Sequence, residues 1–394
     1  MEDHVNDKVS VLMVHNFYQI GGGEHTVFKN EVELLKDHGH KVIEYTRSNA
    51  ELKDSKIKLF LSPFSTLWSY KTYREVKRII KKQNIDIVHC HNTFPLISPS
   101  VYYAAKSLNI PLIQTIHNYR FLCPAGIFYH HGHICEKCRE RNFFIDALRN
   151  KCYRNSIVQT LVLSNMLRFH RIIGTYKRIN YVFLSDFSKS KFDKLIDING
   201  KNVFIKPNFV KEQIIDRSNL TDYHFVFAGR LDENKGIKSL LDIWCDQKID
   251  FPIHIYGDGP FRSYVEKKAN EFENVKYFGF CSQSELYSDL SKAVALVFPS
   301  KWYEGFPMII SESFSLGCPV ISSDIGNQAE IVKMSRAGVL FNLESALSFT
   351  EAIFYTINNN EELSRNALSF AQDYLSVEKN YLRLSEIYDQ ARHF

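Results

Sequence analysis

Short apolar runs recur along the chain, separated by longer stretches in which apolar residues return every three or four positions. Residues 9–15, 85–91 and 111–117 are such runs in the first half, and residues 225–228, 253–256, 275–280 and 293–299 in the second. They are too short and too continuously apolar for amphipathic helices, so they predict parallel strands buried on both faces. The stretch at residues 25–38 has helical spacing, and a further strand is expected at 41–45. Strands that alternate with helices in this way predict parallel sheets covered by helices on both faces. A chain of 394 residues exceeds what one core usually serves. Two α/β domains are therefore expected, 1–205 and 206–377, meeting near residues 203–210 where a strand runs into Pro207.

The chemistry gathers where these strands end, which is where open α/β sheets bind ligands. Strand 225–228 empties into Gly229, and Arg230 and Lys235 follow in one loop before a helix that starts near Lys238. A planar guanidinium, a point-charge ammonium and the positive end of a helix together suit a diphosphate. Taken alone, two cations in a surface loop would simply be solvated. The next two strands end at Gly257 and Phe280. Glycine there lets the backbone approach a flat ligand such as a nucleobase, although tight-turn chemistry explains it equally. After strand 293–299 come Glu304, in the loop, and Glu312, expected about two turns into the following helix. Two carboxylates so placed can accept hydrogen bonds from two ends of one polyhydroxylated ligand.

Read in order, G-R-L-x3-K-G from Gly229, Y-G-D-G-P from Tyr256 and E-G-F-P-x4-E-S-x3-G-x-P-V-I from Glu304 resemble the C-terminal half of the retaining glycosyltransferases of family 4. That resemblance implies the GT-B fold: two Rossmann-like, doubly wound parallel-sheet domains facing a cleft, with a last helix of about 378–394 packing back on the first. It implies that Arg230 and Lys235 hold the diphosphate of a UDP- or GDP-sugar, that Glu304 faces the transferred sugar, and that Glu312 takes the ribose hydroxyls. The segment Phe306, Pro307, Met308 and Ile309 would reach the sugar and phosphate. No metal would be needed at the diphosphate. In the first half the glycine loop Gly21-Gly22-Gly23 opens a helix, and the family places this loop across from the diphosphate, so Gly22 and Gly23 join the donor site. His117 matches the histidine that approaches the anomeric centre. Asn118 stands where the family often has aspartate. His89 and His91 are either acceptor-site residues or packed histidines. A GT-B epimerase, hydrolase or phosphorylase, or a non-catalytic nucleotide-sugar-binding subunit, would share much of this pattern.

Charge changes the picture in one respect. Residues 1–210 hold 31 Lys and Arg against 18 Asp and Glu, and the remainder 18 against 26, which together give the formal net charge of +5. A basic half suits an anionic membrane surface or an anionic acceptor. Nucleic acid is disfavoured, since the basic residues are dispersed among helices and no recognition module is present. Residues 70–82 and 149–178 are the candidate membrane-facing stretches, the second with apolar residues dense enough for an interfacial helix but too interrupted for a spanning one. The opening Met1-Glu2-Asp3-His4 is acidic and has no apolar run, so a cytoplasmic enzyme, peripheral on the inner face of the plasma membrane, is expected, acting on a lipid-linked or glycan acceptor. Cys123, Cys135, Cys138 and Cys152 fall in one polar region with the spacing C-x11-C-x2-C-x13-C, which suits either a structural zinc clip or independent thiols.

Overall fold

The computed structural model describes residues 8–18, 22–52, 65–140, 143–177, 179–213 and 223–393; Gly21 of the glycine loop and the opening Met1-Glu2-Asp3-His4 lie outside the described residues. The chain divides into two compact units. The first comprises the described residues of 1–128, 136–207 and 380–394, and the second those of 129–135 and 208–379.

The first unit is built on six parallel strands in the order β2-β1-β3-β4-β7-β8. These are β1 (Ser10–Phe17), β2 (Lys41–Ser48), β3 (Ile87–Asn92), β4 (Leu112–Ile116), β7 (Asn180–Phe183) and β8 (Val203–Ile205). Every residue of β3 and β4 is buried, which is why their sequence reads as an unbroken apolar run, whereas β2 at the sheet edge is mostly half-exposed. The helix Gly23–Asp37 lays Val27, Phe28, Val32, Leu34 and Leu35 against the sheet. Residues of the final helix, Val377–Arg392, close the same core through Leu384, Ile387 and Tyr388. Strand order reverses between β1 and β3, so the crevice of this unit opens beyond their carboxyl ends.

The second unit has six parallel strands in the order β11-β10-β9-β12-β13-β14. They are β9 (Phe225–Ala228), β10 (Ile253–Tyr256), β11 (Val275–Gly279), β12 (Ala295–Phe298), β13 (Val320–Ser323) and β14 (Gly338–Phe341). This is the 3-2-1-4-5-6 order of dinucleotide-binding sheets, with its switch point between β9 and β12. Trp244, from the helix Ile237–Asp246, is wholly buried beneath it against Phe225 and Phe349, a burial worth about 3 kcal/mol. A short antiparallel pair, β5 (Tyr129–His130) and β6 (His133–Ile134), interrupts the first unit's sequence and groups with the second.

Two glycines shape the switch point. Gly257 has φ +131°, and a Cβ there would sit 1.9 Å from the Gly229 carbonyl oxygen, so β9 and β10 can end backbone against backbone only with glycine. Gly236 has φ +72°, and its Cβ would sit 2.1 Å from the Pro299 carbonyl oxygen. Its bareness lets the loop carrying Lys235 lie on the end of β12. One expectation is corrected: the helix after β12 spans Met308–Ser315, so Glu312 lies just over one turn in, not two, because the connecting loop extends to Pro307.

Candidate active site

In the second unit, the loop after β9 and the loop after β12 meet at the switch point. The Lys235 ammonium lies 2.7 Å from Glu304 Oε1, and the same oxygen accepts from Ser300 Oγ at 2.7 Å and from the Trp302 indole N–H. Glu304 is 8% exposed, so this carboxylate is desolvated and matched by one ammonium and two neutral donors. Lys235 also stands over the rings of Phe298 and Trp302. Asp232 ties the two cations into one loop: its Oδ2 pairs with Arg230 Nε at 2.9 Å, and its Oδ1 accepts from the Lys235 backbone N–H at 3.0 Å. The Arg230 side chain is itself mostly exposed and able to turn toward a ligand. The Asn327 amide holds the carbonyls of Glu304 and Gly305. Gln328 holds that of Trp302, so the β12 loop is fixed at three points.

Glu312 projects from the helix Met308–Ser315 toward Tyr287 and Gln283, and burial raises its carboxyl, partly offset by hydrogen bonds from those two side chains. The N-cap of this helix is Pro307, whose side chain makes no capping hydrogen bond, so no N-cap side chain satisfies the N–H groups of its first turn. Phe306 and Ile309 pack on the sheet core, and Met308 is half-buried. Phe280 is 88% exposed just beyond β11.

In the first unit, a buried polar network lies under the ends of β3 and β4. His91 Nδ1 lies 2.9 Å from His117 Nε2, and His91 Nε2 lies 3.2 Å from Glu31 Oε1. The other Glu31 oxygen takes the Lys206 ammonium at 2.7 Å, and Lys206 also donates to Asn380 Oδ1. Burial alone would raise the Glu31 carboxyl, but Lys206 and the His91 and His89 imidazoles outweigh it and hold it well below the usual carboxylate range. An ionised carboxylate can only accept, which orders the protons: His91 donates through Nε2 to Glu31 and accepts at Nδ1 from His117 Nε2–H. Burial, helped by His91 and His15, lowers His117 well below an ordinary histidine, so it is neutral with its Nδ1 lone pair free to accept.

His91, His117 and Asn118 line a cavity of about 40 Å³ with Asn92, Phe94 and Arg120. His89 does not line it. Its two nitrogens are engaged by Tyr388 and Thr115, and burial lowers it to about 3, which places it behind His91 as a packed member of the network. Gly22 and Gly23 are exposed at the start of the helix Gly23–Asp37. Glu24, in that first turn, accepts from Asn118 Nδ2 at 3.2 Å.

The residue Glu24 is only partly buried, but its Oε1 is shut off from solvent. Burial pushes the carboxyl up to about 7 against the opposing pull of Arg120, Asn118 and Asn92. A raised carboxyl pKa means the folded protein holds the proton more tightly, so the contribution is full below about 4.5 and is lost as pH rises through about 7. Wild type is therefore expected to lose on the order of 2 kcal/mol between about pH 5 and 8 relative to Glu24→Gln, read as a pH-dependent gap in unfolding temperature. Parallel pH profiles for the two proteins would contradict it.

Sequence reasoning missed Glu24, Glu31, Lys206 and Arg120. Glu31 had a signal: it is a charge on the apolar face of its helix, between Phe28 and Leu35.

None of the eight cysteines is in a disulfide. Cys123 and Cys138 are buried near Arg171, Cys152 packs on the cluster containing Cys138, and Cys135 belongs to the segment grouped with the second unit. Among the described residues, the groups of three or more metal-capable side chains within 4.8 Å of one another are Glu31–His89–His91 and His224–His254–Asp289, neither with a cysteine. The four thiols are thus not gathered at the short spacing that a tetrahedral zinc site needs.

Residues 210–371 match the model of Glycosyl transferases group 1, and residues 20–158 that of Glycosyltransferase Family 4. An uncharacterized glycosyltransferase of Methanocaldococcus jannaschii is 27% identical over 393 residues, 97% of this chain and 98% of that protein. An uncharacterized protein from the cps region of Klebsiella pneumoniae is 22% identical, covering 94% of this chain and 99% of its own. A crystal structure of an Anabaena protein in complex with UDP superposes with a TM-score of 0.63 at 16% identity, covering 96% of this chain and 98% of that one, a likeness of fold. With both halves matched and two doubly wound parallel sheets in place, the chain belongs to the family 4 glycosyltransferases of GT-B fold.

Proposed function

We propose that the enzyme is a retaining glycosyltransferase that moves a sugar from a nucleoside diphosphate sugar, of uracil or guanine type, to a hydroxyl of a lipid-linked oligosaccharide in surface-polysaccharide synthesis. The observation that carries the reading is the Lys235–Glu304 pair at the β9/β12 switch point, with Arg230 joined to it through Asp232. Two cations there match a diphosphate, and the carboxylate beside them matches a sugar hydroxyl. Negative charge grows on the diphosphate as the glycosidic bond breaks, so Arg230 and Lys235 stabilise the transition state more than the ground state. The acceptor hydroxyl approaches from the leaving-group face, and a phosphate oxygen takes its proton, so no protein base and no metal ion at the diphosphate is required. His117, neutral with an accepting Nδ1, suits a sugar hydroxyl near the anomeric carbon. The UDP complex of the Anabaena protein and the cps-region relative support the donor class and the pathway class.

Glu304 and Glu312 divide the donor between them. Glu304→Gln is expected to impair transfer while leaving the affinity for bare UDP or GDP nearly unchanged, because it faces the sugar. Glu312→Ala is expected to weaken nucleotide binding about tenfold, the worth of a hydrogen bond to a charged group. Isothermal calorimetry with the bare nucleotide separates them, and equal affinity losses in the two variants would contradict the division.

The acceptor is proposed to be presented at a membrane surface. What supports this is the helix Ile157–Ile172, which buries Leu163, Met166 and Leu167 on one side yet leaves Ile157, Val158 and Leu161 exposed on the other. The helix Tyr70–Gln83 likewise buries Thr72, Val76 and Ile80 and exposes Arg74, Arg78, Lys81 and Lys82. Among the described residues no helix is long and apolar enough to cross a membrane, so attachment would be at the surface.

A further inference from the structure

A second, larger pocket of the first unit lies at the amino ends of the strands, opposite the carboxyl-end cavity at His117. It is lined by the segment running into the start of β4 (Asn109, Ile110, Pro111, Leu112), by Ile179 and Asn180 at the start of β7, and by the end of the final helix, and encloses about 540 Å³. Three of its lining residues are cations brought together from three separate elements. Lys106 ends the helix Ser100–Lys106, Lys177 ends the turn Thr175–Lys177, and Arg392 ends the helix Val377–Arg392. All three are exposed, and among the described residues no carboxylate lines the pocket with them. Basic residues at helix ends ordinarily answer the helix dipole, but that does not require three ends to converge on one cavity.

Two further features narrow the ligand. Asn180 Oδ1 is buried on the pocket wall without a hydrogen-bond partner, while its Nδ2 donates to the Leu112 carbonyl oxygen. That leaves an acceptor suited to a hydroxyl. On the rim Ile173 is 49% exposed and its neighbour Ile172 62% exposed, continuing the apolar face of the helix Ile157–Ile172. A phosphate recognised by Lys106, Lys177 and Arg392, a hydroxyl beside it for Asn180, and apolar chains against Ile172 and Ile173 are the parts of one molecule.

We infer that this pocket binds the phosphate headgroup of an anionic, hydroxyl-bearing phospholipid, with Ile172 and Ile173 seated at the acyl boundary. The inference rests on the membrane-surface reading given above and adds to it a stoichiometric site, separate from the general basic surface. It also gives the final helix a second use, since its last residue would turn toward lipid.

The test is vesicle sedimentation with the full chain on phosphatidylcholine vesicles with and without phosphatidylglycerol. Wild type is expected to prefer the phosphatidylglycerol vesicles, and the Lys106→Ser/Lys177→Ser/Arg392→Ser variant to lose about a hundredfold of that affinity, each basic residue near an anionic surface being worth about fivefold. Neutralising Lys267, Lys268 and Lys276 of the second unit, with the same loss of charge, is expected to change little. Equal losses in both triple variants would overturn the site in favour of diffuse charge. Binding by wild type to both kinds of vesicle alike would overturn the headgroup site while leaving membrane attachment standing. Failure to bind any vesicle would sink the membrane reading and this site with it. Calorimetry with inorganic phosphate distinguishes the source: tight binding without lipid would replace the headgroup with a soluble phosphate ligand.

Discussion

Lys235→Ala is expected to lower turnover by about a hundredfold or more, and Arg230→Ala by a similar factor. The loss should appear in kcat and not only in KM, because the charge these side chains oppose is greater in the transition state than in the bound donor. Lys235 carries a second consequence that Arg230 does not. Its ammonium is the cation at Glu304 Oε1, and removing it leaves a carboxylate that is 8% exposed held by Ser300 and Trp302 alone. Glu304 would then repel the donor diphosphate. Lys235→Arg should not restore the rate, since a planar fork does not fit a point-charge position between the Phe298 and Trp302 rings. Steady-state kinetics on the purified variants checks this, and near wild-type kcat in both alanine variants would remove the diphosphate assignment.

The second large effect is expected in the first unit, at Glu31. Glu31→Ala strands the Lys206 ammonium, 1% exposed, with Asn380 as its remaining side-chain partner, and unties His91. Breaking a buried pair by removing one member costs about 3–5 kcal/mol, because the other charge stays buried without compensation. Hydrogen exchange should therefore accelerate a hundredfold or more in peptides from β3 and β4, where His89, His91 and Thr115 share the network. The double variant Glu31→Gln/Lys206→Met, which removes both charges, should recover most of that protection. Unchanged exchange in Glu31→Ala would mean that the network contributes little to the unit. The recovered double variant should still transfer sugar slowly, since His117 loses the proton order imposed through His91.

How much of this was legible in the sequence follows from where each signal resides. Most strands of the two sheets could be read because parallel strands buried on both faces leave unbroken apolar runs, and the glycines and charges at their ends could be read with them; β7, β13 and β14, of four residues each, were not read. Arg230, Lys235 and Glu304 converge because Gly236 lets one loop lie on the other. The motif implied that all three serve one donor, but the Lys235–Glu304 pair and the bond from Trp302 to Glu304 depend on side-chain direction that spacing does not carry. Helix onset was less legible, and Glu312 came one turn early because the loop after β12 runs on to Pro307 before the helix begins. The network of Glu31, Lys206 and Asn380 joins bonded partners 175 and 174 positions apart, and such long-range contacts leave no local periodicity. His89 and His91 looked alike as alternate residues of one strand. Alternation places both on one face, where both reach Glu31; what separates them is depth along the strand, since His91 sits nearer the carboxyl end, at the cavity, and His89 two residues further in.

The most direct measurement is product analysis. Purified enzyme is incubated with a panel of UDP- and GDP-sugars and lipid-linked oligosaccharides, products are identified by mass spectrometry, and the new linkage is assigned by proton NMR. Transfer of one sugar residue to the acceptor, release of the nucleoside diphosphate and retention of the donor's anomeric configuration in the product are expected. Donor consumed without an acceptor, a glycan cleaved by phosphate, or a product of inverted configuration would contradict retaining transfer.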